Sequence, residues 1–127
     1  MKLRIKGNSI RFRLLRSEVE RLSAAGTISE EVVFGIRPDQ VLRYAIAVSD
    51  GVDEIEAEFS DSQILVLVPE SMALDWFASD ELTIKREIEI DGETTLTVLI
   101  EKDLVCLDRP DDPENADAYP NPKSGAC

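Results

Sequence analysis

The stretch Ile10–Leu22, IRFRLLRSEVERL, contains a strand pattern that runs through a serine into an amphipathic helix pattern. Ile10, Phe12 and Leu14 alternate with arginines, which is typical of a strand with one buried face. Adding 54 to these numbers gives a second stretch of the same kind, because residues 64–76 read ILVLVPESMALDW. The chain therefore repeats one strand–helix pattern at a fixed spacing.

The same spacing extends to both sides of the two stretches. An alternating segment and a turn signal, Gly7-Asn8 or Asp61-Ser62, precede each strand, and Ser17 and Ser71 are the expected N-caps of the helices. Two further alternating segments follow each helix, with apolar positions at Ile28, Val32, Phe34 and Ile36, at Leu42, Tyr44, Ile46 and Val48, at Leu82, Ile84, Ile88 and Ile90, and at Leu96, Val98 and Ile100. We predict an α+β, mostly β fold that reads β-β-α-β-β twice.

The length of 127 residues is typical of one domain, and 43% hydrophobic residues are sufficient for a core without disulfides. We assign residues 1–107 to a single β-rich domain, with repeat one at 1–54 and repeat two at 55–107. Residues 108–127 form an acidic, proline-rich C-terminal tail. Its prolines exclude a regular helix or central strand, so it is expected either to dock in extended form or to be disordered.

The charge is distributed unevenly along the chain. The net charge is −12, yet residues 1–54 carry 9 Lys/Arg against 8 Asp/Glu, whereas residues 55–108 carry 3 against 14. An acidic protein repels phosphate backbones, so the overall charge disfavours nucleic acid as a partner. No apolar run is long enough to span a bilayer, and no apolar signal region opens the sequence, so we expect a cytoplasmic protein without a membrane partner.

The sequence contains no histidine, which removes the commonest general base and metal ligand. Cys106 and Cys127 lack the context of a catalytic thiol or a zinc site, and Cys106 is expected to pack as a small apolar group. The acidic run at 108–117 lacks the glycine and the distal glutamate of a calcium loop. We predict that the chain is not an enzyme and has no catalytic, cofactor-binding or metal-binding residues.

Several short motifs resemble the AbrB/MazE-type swapped-hairpin domain. The first repeat has the turn Gly7-Asn8-Ser9, the strand end Arg13-Leu14 and the helix leucine Leu22. The second repeat has a strand end at Val68-Pro69 and Trp76 in the place of the helix leucine. It also has the family's strand start, Ser79-Asp80-Glu81-Leu82, and its hairpin turn, Asp91-Gly92. The whole chain, from MKLRIKGNSIR to YPNP, also resembles a family of small uncharacterised bacterial proteins, which implies a bacterial origin and no particular activity.

The AbrB/MazE-type resemblance implies a fold and a candidate activity. Domains of that family pair as homodimers whose hairpins interleave into a small barrel, so two copies in one chain would form a single-chain pseudo-dimeric barrel. Family members often bind DNA through basic strands. The matching candidates for nucleic-acid contact here are Lys2, Arg4, Lys6, Arg11 and Arg13. The second repeat departs from this pattern, because Glu56, Glu58, Leu65 and Leu67 stand at the corresponding positions.

We expect the chain to bind a protein partner or to self-associate, because the strand at residues 64–68 is apolar on both faces. Leu65 and Leu67 lie on the second face of that strand and need a cover, either the C-terminal tail or another subunit. Tyr119 and Pro120 are the candidate interface residues of the tail. We therefore predict a non-enzymatic protein–protein interaction module, with two alternatives: a DNA-binding regulator that uses the basic strands, and a small-molecule-binding barrel or enzyme.

Overall fold

The computed structural model describes residues 1–105 and 109–121. The predictions for Cys106, Cys127 and the boundary at 107/108 lie outside the described residues. Neither helix in the described part of the chain is long and apolar enough to cross a membrane.

The order of strands and helices is the one predicted from the sequence. The first five elements are β1 (Lys2–Lys6), β2 (Ser9–Leu14), α1 (Arg16–Ala25), β3 (Thr27–Val33) and β4 (Val41–Ser49). The next five are β5 (Glu56–Ser60), β6 (Gln63–Pro69), α2 (Glu70–Ala78), β7 (Thr83–Glu89) and β8 (Thr95–Lys102). Two short 3₁₀ turns, Pro38–Gln40 and Pro113–Asp117, lie before β4 and in the tail. The protein is thus α+β and mostly strand.

The eight strands form two four-stranded sheets. Sheet I has the order β1-β2-β8-β7, and sheet II has the order β3-β4-β6-β5. In each sheet the two central strands are parallel and come from distant parts of the chain: Ser9 pairs with Thr97 in sheet I, and Gln63 pairs with Arg43 in sheet II. The two registers correspond at the 54-residue spacing, so equivalent residues of the two sheets can be compared one by one.

The expectation of a closed barrel is wrong, because the strands form two separate sheets with edge strands of their own. The apolar faces of the sheets are covered by each other and by the two helices, so the core is buried without pairing of the edges. Phe12, Ile46, Val66 and Ile100 are fully buried in the sheets, and Trp76 of α2 joins them. Burial of these side chains is the main favourable term in the stability of the fold.

Both predicted helix N-caps are wrong by two residues. The N-caps are Leu15 for α1 and Pro69 for α2, and neither has a capping side chain. At α1 the Glu18 carboxylate caps instead, because it accepts the Leu15 N–H at 2.8 Å. The same carboxylate forms a buried ion pair with the Met1 amino group. Ser17 therefore lies in the first turn of α1, with its donors turned toward the tail.

The third strand ends earlier than the alternation predicts. β3 stops at Val33, and Phe34 and Ile36 lie in the loop before β4, with exposed fractions of 74% and 102%. The Phe34 N–H donates to the Gln40 carbonyl at 2.8 Å, so the loop folds back on itself. Phe34 and Ile36, which the alternation predicts to lie in the third strand, are therefore surface residues of a loop.

Candidate functional site

The five candidate basic residues share the outer face of sheet I. Lys2, Arg4 and Lys6 alternate along β1, and the antiparallel register sets Arg4 opposite Arg11 and Lys2 opposite Arg13. The structure therefore brings the five predicted cations together on one surface. Their charge is nevertheless partly neutralised by carboxylates from other parts of the chain.

Glu101 of β8 faces the two arginines of β2. Its two carboxylate oxygens lie 3.3 Å from Arg11 Nε and 3.4 Å from Arg13 Nε. Ion pairs of this kind on a partly exposed surface contribute little stability, but they occupy groups that would otherwise contact phosphate. One of the two arginine charges is therefore already balanced by Glu101.

Lys2 is held by two further carboxylates. Its Nζ lies 3.0 Å from Asp103 Oδ2 and 3.4 Å from Glu114 Oε1. Burial lowers the pKa of Lys2, but the hydrogen bond and charge of Asp103, together with Glu114, raise it to above its ordinary value. Within the described ranges no carboxylate forms an ion pair with Arg4 or Lys6, which line a shallow depression of about 170 Å³.

Leu65 and Leu67 lie on the outer face of sheet II, where they are half-buried. Their antiparallel partners on the edge strand are Glu58 and Glu56, respectively. The outer face of sheet II is thus apolar at its centre and acidic at one edge. The contacts of the tail described below lie elsewhere, on α1 and on the ends of β1 and β8.

The tail is joined to the body through backbone and side-chain hydrogen bonds. The Tyr119 N–H donates to the Asp103 carbonyl, and the Val105 N–H donates to the Tyr119 carbonyl, both at 2.8 Å. Asp117 accepts hydrogen bonds from the Ser17 hydroxyl and, at 2.9 Å, from the Ser17 N–H. Tyr119 and Pro120, the predicted tail interface residues, therefore lie beside the start of α1.

A cleft of about 850 Å³ opens between α1, the connection from α2 to β7, and residues 119–121. Lys102 and Arg16 are its cations, and Glu20 and Asp80 are its carboxylates. The other lining residues are Val19, Ser23, Ala24, Phe77, Ser79, Leu82, Tyr119, Pro120 and Asn121. The cleft therefore combines apolar walls with charges of both signs.

Lys102 is the most unusual residue of this cleft, because it is a lysine with an exposed fraction of 4%. Its Nζ donates to the Ser79 carbonyl at 2.7 Å and lies 5.4 Å from the Trp76 ring centroid and 5.5 Å from that of Tyr119. The Arg16 guanidinium lies 4.6 Å from the same tyrosine ring. Burial lowers the pKa of Lys102, an effect that the charges of Asp80 and Glu81 partly oppose.

The sequence reasoning missed Lys102, although a signal for it was present. Val98, Ile100 and Lys102 share one parity of an alternating strand, so a charged side chain was to be expected on the inner face. The register adds that Lys102 pairs with Leu14, whereas at the equivalent position of sheet II Val48 pairs with Val68. A cation therefore occupies a position at which the other sheet has an aliphatic residue.

A second missed feature is an apolar groove of about 350 Å³ at the open end of sheet II. Its aromatic walls are Phe34 and Phe59, and both side chains have an exposed fraction of 74%. Val41 and Leu42 also line the groove. Among the described residues, five of the eight exposed large hydrophobic side chains belong to this end of the sheet: Val32, Val33, Phe34, Ile36 and Phe59.

The chain belongs to a family of unknown function (DUF7009), whose model matches residues 1–123. This match agrees with the predicted membership in an uncharacterised family. It does not confirm the AbrB/MazE-type resemblance, which stays a prediction. No curated protein and no solved structure matches the chain.

Proposed function

We propose that this chain is a non-enzymatic protein–protein interaction module that docks a partner in the groove between Phe34 and Phe59. The observation that carries this proposal is the exposure of two phenylalanines on either side of one groove. Exposed clusters of apolar side chains are uncommon on monomeric proteins and mark interaction sites. Aromatic residues are also the preferred anchors of such sites, because they bury a large area.

The charge around the groove favours a basic partner. Two cations near the groove are already paired within the chain, Arg37 with Asp39 at 3.2 Å and Arg43 with Glu31. Asp61 precedes Ser62, which lines the groove, and in the described part of the chain Asp61 forms no ion pair. The partner that fits is a protein segment with apolar side chains flanked by lysine or arginine, because its charge complements this rim.

We also propose that the chain is a fused pair of ββαββ units with exchanged hairpins. The support is the strand register, since the pairing of β2 with β8 and that of β4 with β6 correspond at the 54-residue spacing. The pairings of β1 with β2 and of β5 with β6 correspond at the same spacing. The third strand departs from it by two residues, because α2 is followed by a longer connection than α1.

DNA binding through the outer face of sheet I is the weaker candidate function. It is supported by Arg4 and Lys6, which lie beside Arg11 around one depression. It is opposed by Glu101, which contacts both arginines of β2 and balances one of their two charges, and by the net charge of −12. A duplex would therefore meet few cations that do not already contact a carboxylate.

The docking proposal can be tested with a photo-crosslinking residue at the groove. Phe34→p-benzoylphenylalanine places the crosslinker at the proposed site, and Leu74→p-benzoylphenylalanine is the matched control, because Leu74 is an exposed apolar residue on α2. After irradiation in the source cells, mass spectrometry should identify an adduct at position 34 that is absent at position 74. The crosslinked peptide should contain apolar residues flanked by lysine or arginine.

A synthetic copy of that peptide should then bind the purified protein. The double variant F34S/F59S should weaken binding at least about tenfold, and L74S should leave it unchanged. Higher salt should weaken binding of the wild type, because the rim is acidic. Equal adducts at positions 34 and 74, adducts only with a second copy of the chain, or full binding by F34S/F59S would each contradict the proposal.

A further inference from the structure

Lys102 occupies a position at which the fold does not need a charge. The equivalent residue in sheet II is Val48, and the same register and the same kind of strand form there with an aliphatic side chain. A buried ammonium is costly, because it loses hydration that the protein interior does not fully replace. The lowered pKa of Lys102 has this cause. Its hydrogen bond to the carbonyl of Ser79, the C-cap of α2, offsets only part of this cost, so the buried cation is a candidate for function.

The contacts of Lys102 in the described part of the chain include no direct ion pair, although the charges of Asp80 and Glu81 act on it from a greater distance. One of the three N–H groups of the ammonium donates to the Ser79 carbonyl, and the Trp76 and Tyr119 rings lie near it. In residues 1–105 and 109–121 no carboxylate forms an ion pair with Lys102. The aromatic rings attract the cation but cannot neutralise it. An anion entering the cleft would give the ammonium a direct partner.

The surroundings of Lys102 have the size and composition of a small-molecule site. A cleft of about 850 Å³ lies within the range that accommodates drug-sized ligands. Arg16 supplies a second cation on the ring of Tyr119, and Phe77 and Leu82 supply apolar wall. The cleft is built from α1, from the end of α2 and the segment after it, from the end of β8 and from the tail, so it exists only when these parts of the chain are folded together.

We propose that this cleft binds a small organic anion whose carboxylate or phosphate group contacts Lys102 and Arg16. The body of the ligand lies on Tyr119 and on the apolar wall. Glu20 and Asp80, which line the same cleft, accept hydrogen bonds from hydroxyl or amino groups of the ligand and repel polyanions. The site is separate from the groove between Phe34 and Phe59, so it does not depend on the proposed docking function.

A titration followed by ¹H–¹⁵N NMR tests the site with two probes, inorganic phosphate and 4-hydroxybenzoate, which separate the two anionic groups. At least one probe should give saturable shifts at the amides of Ser79, Leu82 and Tyr119, with a dissociation constant of about 1 mM. K102M keeps the length of the side chain and should weaken binding at least about tenfold. K85M is the matched control, because Lys85 is an exposed lysine on β7, and it should bind like the wild type.

R16Q provides a second measurement that does not depend on the buried position. Arg16 is exposed, so this variant should fold normally and weaken binding about fivefold or more. If K102M does not give a folded spectrum, the affinity of R16Q for the probe tests the proposed site. The proposal is overturned if neither probe gives saturable shifts at up to about 50 mM, a concentration far above the expected constant. It is also overturned if folded K102M, or R16Q, binds like the wild type.

Discussion

Sheet I and sheet II have the same strand register, but the side chains on their outer faces differ in character. Their inner faces match in character: Ile100 in β8 and Ile46 in β4 are equivalent and both have an exposed fraction of 0%. Their outer faces differ, since sheet I has Arg11 and Arg13 where sheet II has Leu65 and Leu67. Packing thus constrains most inner positions of both sheets alike, with Lys102 and Val48 as the exception, whereas the outer positions differ in charge and polarity.

The open ends of the sheets differ in a similar way. Sheet II ends in the groove between Phe34 and Phe59, whereas the corresponding positions of sheet I have Ile90 and Ile5, each with an exposed fraction of 60%. Aliphatic side chains offer less contact area than phenylalanine rings. The difference supports sheet II as the place of the proposed docking, whereas sheet I has the basic outer face and Lys102.

The largest expected effect concerns the shared inner face. I46A and I100A should each lower the free energy of unfolding by about 2–5 kcal/mol, because both leave a cavity in a filled core. Urea unfolding monitored by circular dichroism measures both values. I90A is the control and should change the free energy by less than about 0.5 kcal/mol, since Ile90 is exposed. If only one of the two substitutions, I46A or I100A, lowered the free energy of unfolding by this amount, the inner faces of the two sheets would not be equivalent.

A smaller effect concerns the two helix starts, because Ser17 at the start of α1 is hydrogen-bonded to Asp117 of the tail. The hydrogen bonds from the Ser17 hydroxyl and the Ser17 N–H hold the pKa of Asp117 below its ordinary value of 3.8, with a further contribution from Arg16. This stabilisation is complete above the unfolded pKa and is lost as the pH falls through the lower folded pKa. The stability of the wild type should therefore fall more steeply with acid than that of D117N.

Urea unfolding between about pH 2 and pH 5 checks this difference, because other carboxylates titrate in both proteins and cancel. S17A should lose part of the difference, since it removes one of the two donors to Asp117. S71A is the matched control at the equivalent position of α2, where Ser71 is exposed. Parallel curves for the wild type and D117N would mean that the contact between the tail and α1 does not stabilise the fold.

The smallest expected effect concerns the outer face of sheet I. E101Q should change the free energy of unfolding by at most about 1 kcal/mol, because the ion pairs with Arg11 and Arg13 are partly exposed. The same variant should be retained more strongly on heparin at low salt, since it leaves two arginines without their counter-ion. E87Q on β7 is the charge-matched control. Equal retention of E101Q and E87Q would remove the support for phosphate binding by this face.

The local elements and their order could be predicted from the amino-acid sequence. Alternation of apolar residues predicted the strands, and turn signals such as Gly7-Asn8 and Asp61-Ser62 lie where strands reverse: Gly7, Asp61 and Ser62 all have positive φ. These features depend on neighbouring residues, and local preferences are readable from a short window. The 54-residue spacing was readable for the same reason, because it compares one local pattern with another.

The contacts between distant segments could be seen only in the folded structure. The N-cap expected at Ser17 is wrong because α1 begins two residues earlier, where the Glu18 carboxylate accepts the Leu15 N–H and pairs with the distant Met1 amino group. The strand expected through Phe34 ended early because the loop closes on Gln40. The cluster of Arg16, Lys102 and Tyr119 brings together a helix, a strand and the tail. The strands form two sheets and not the closed barrel that we expected. Each of these outcomes depends on which surfaces meet when the chain folds, and alternation along the chain contains no information on that.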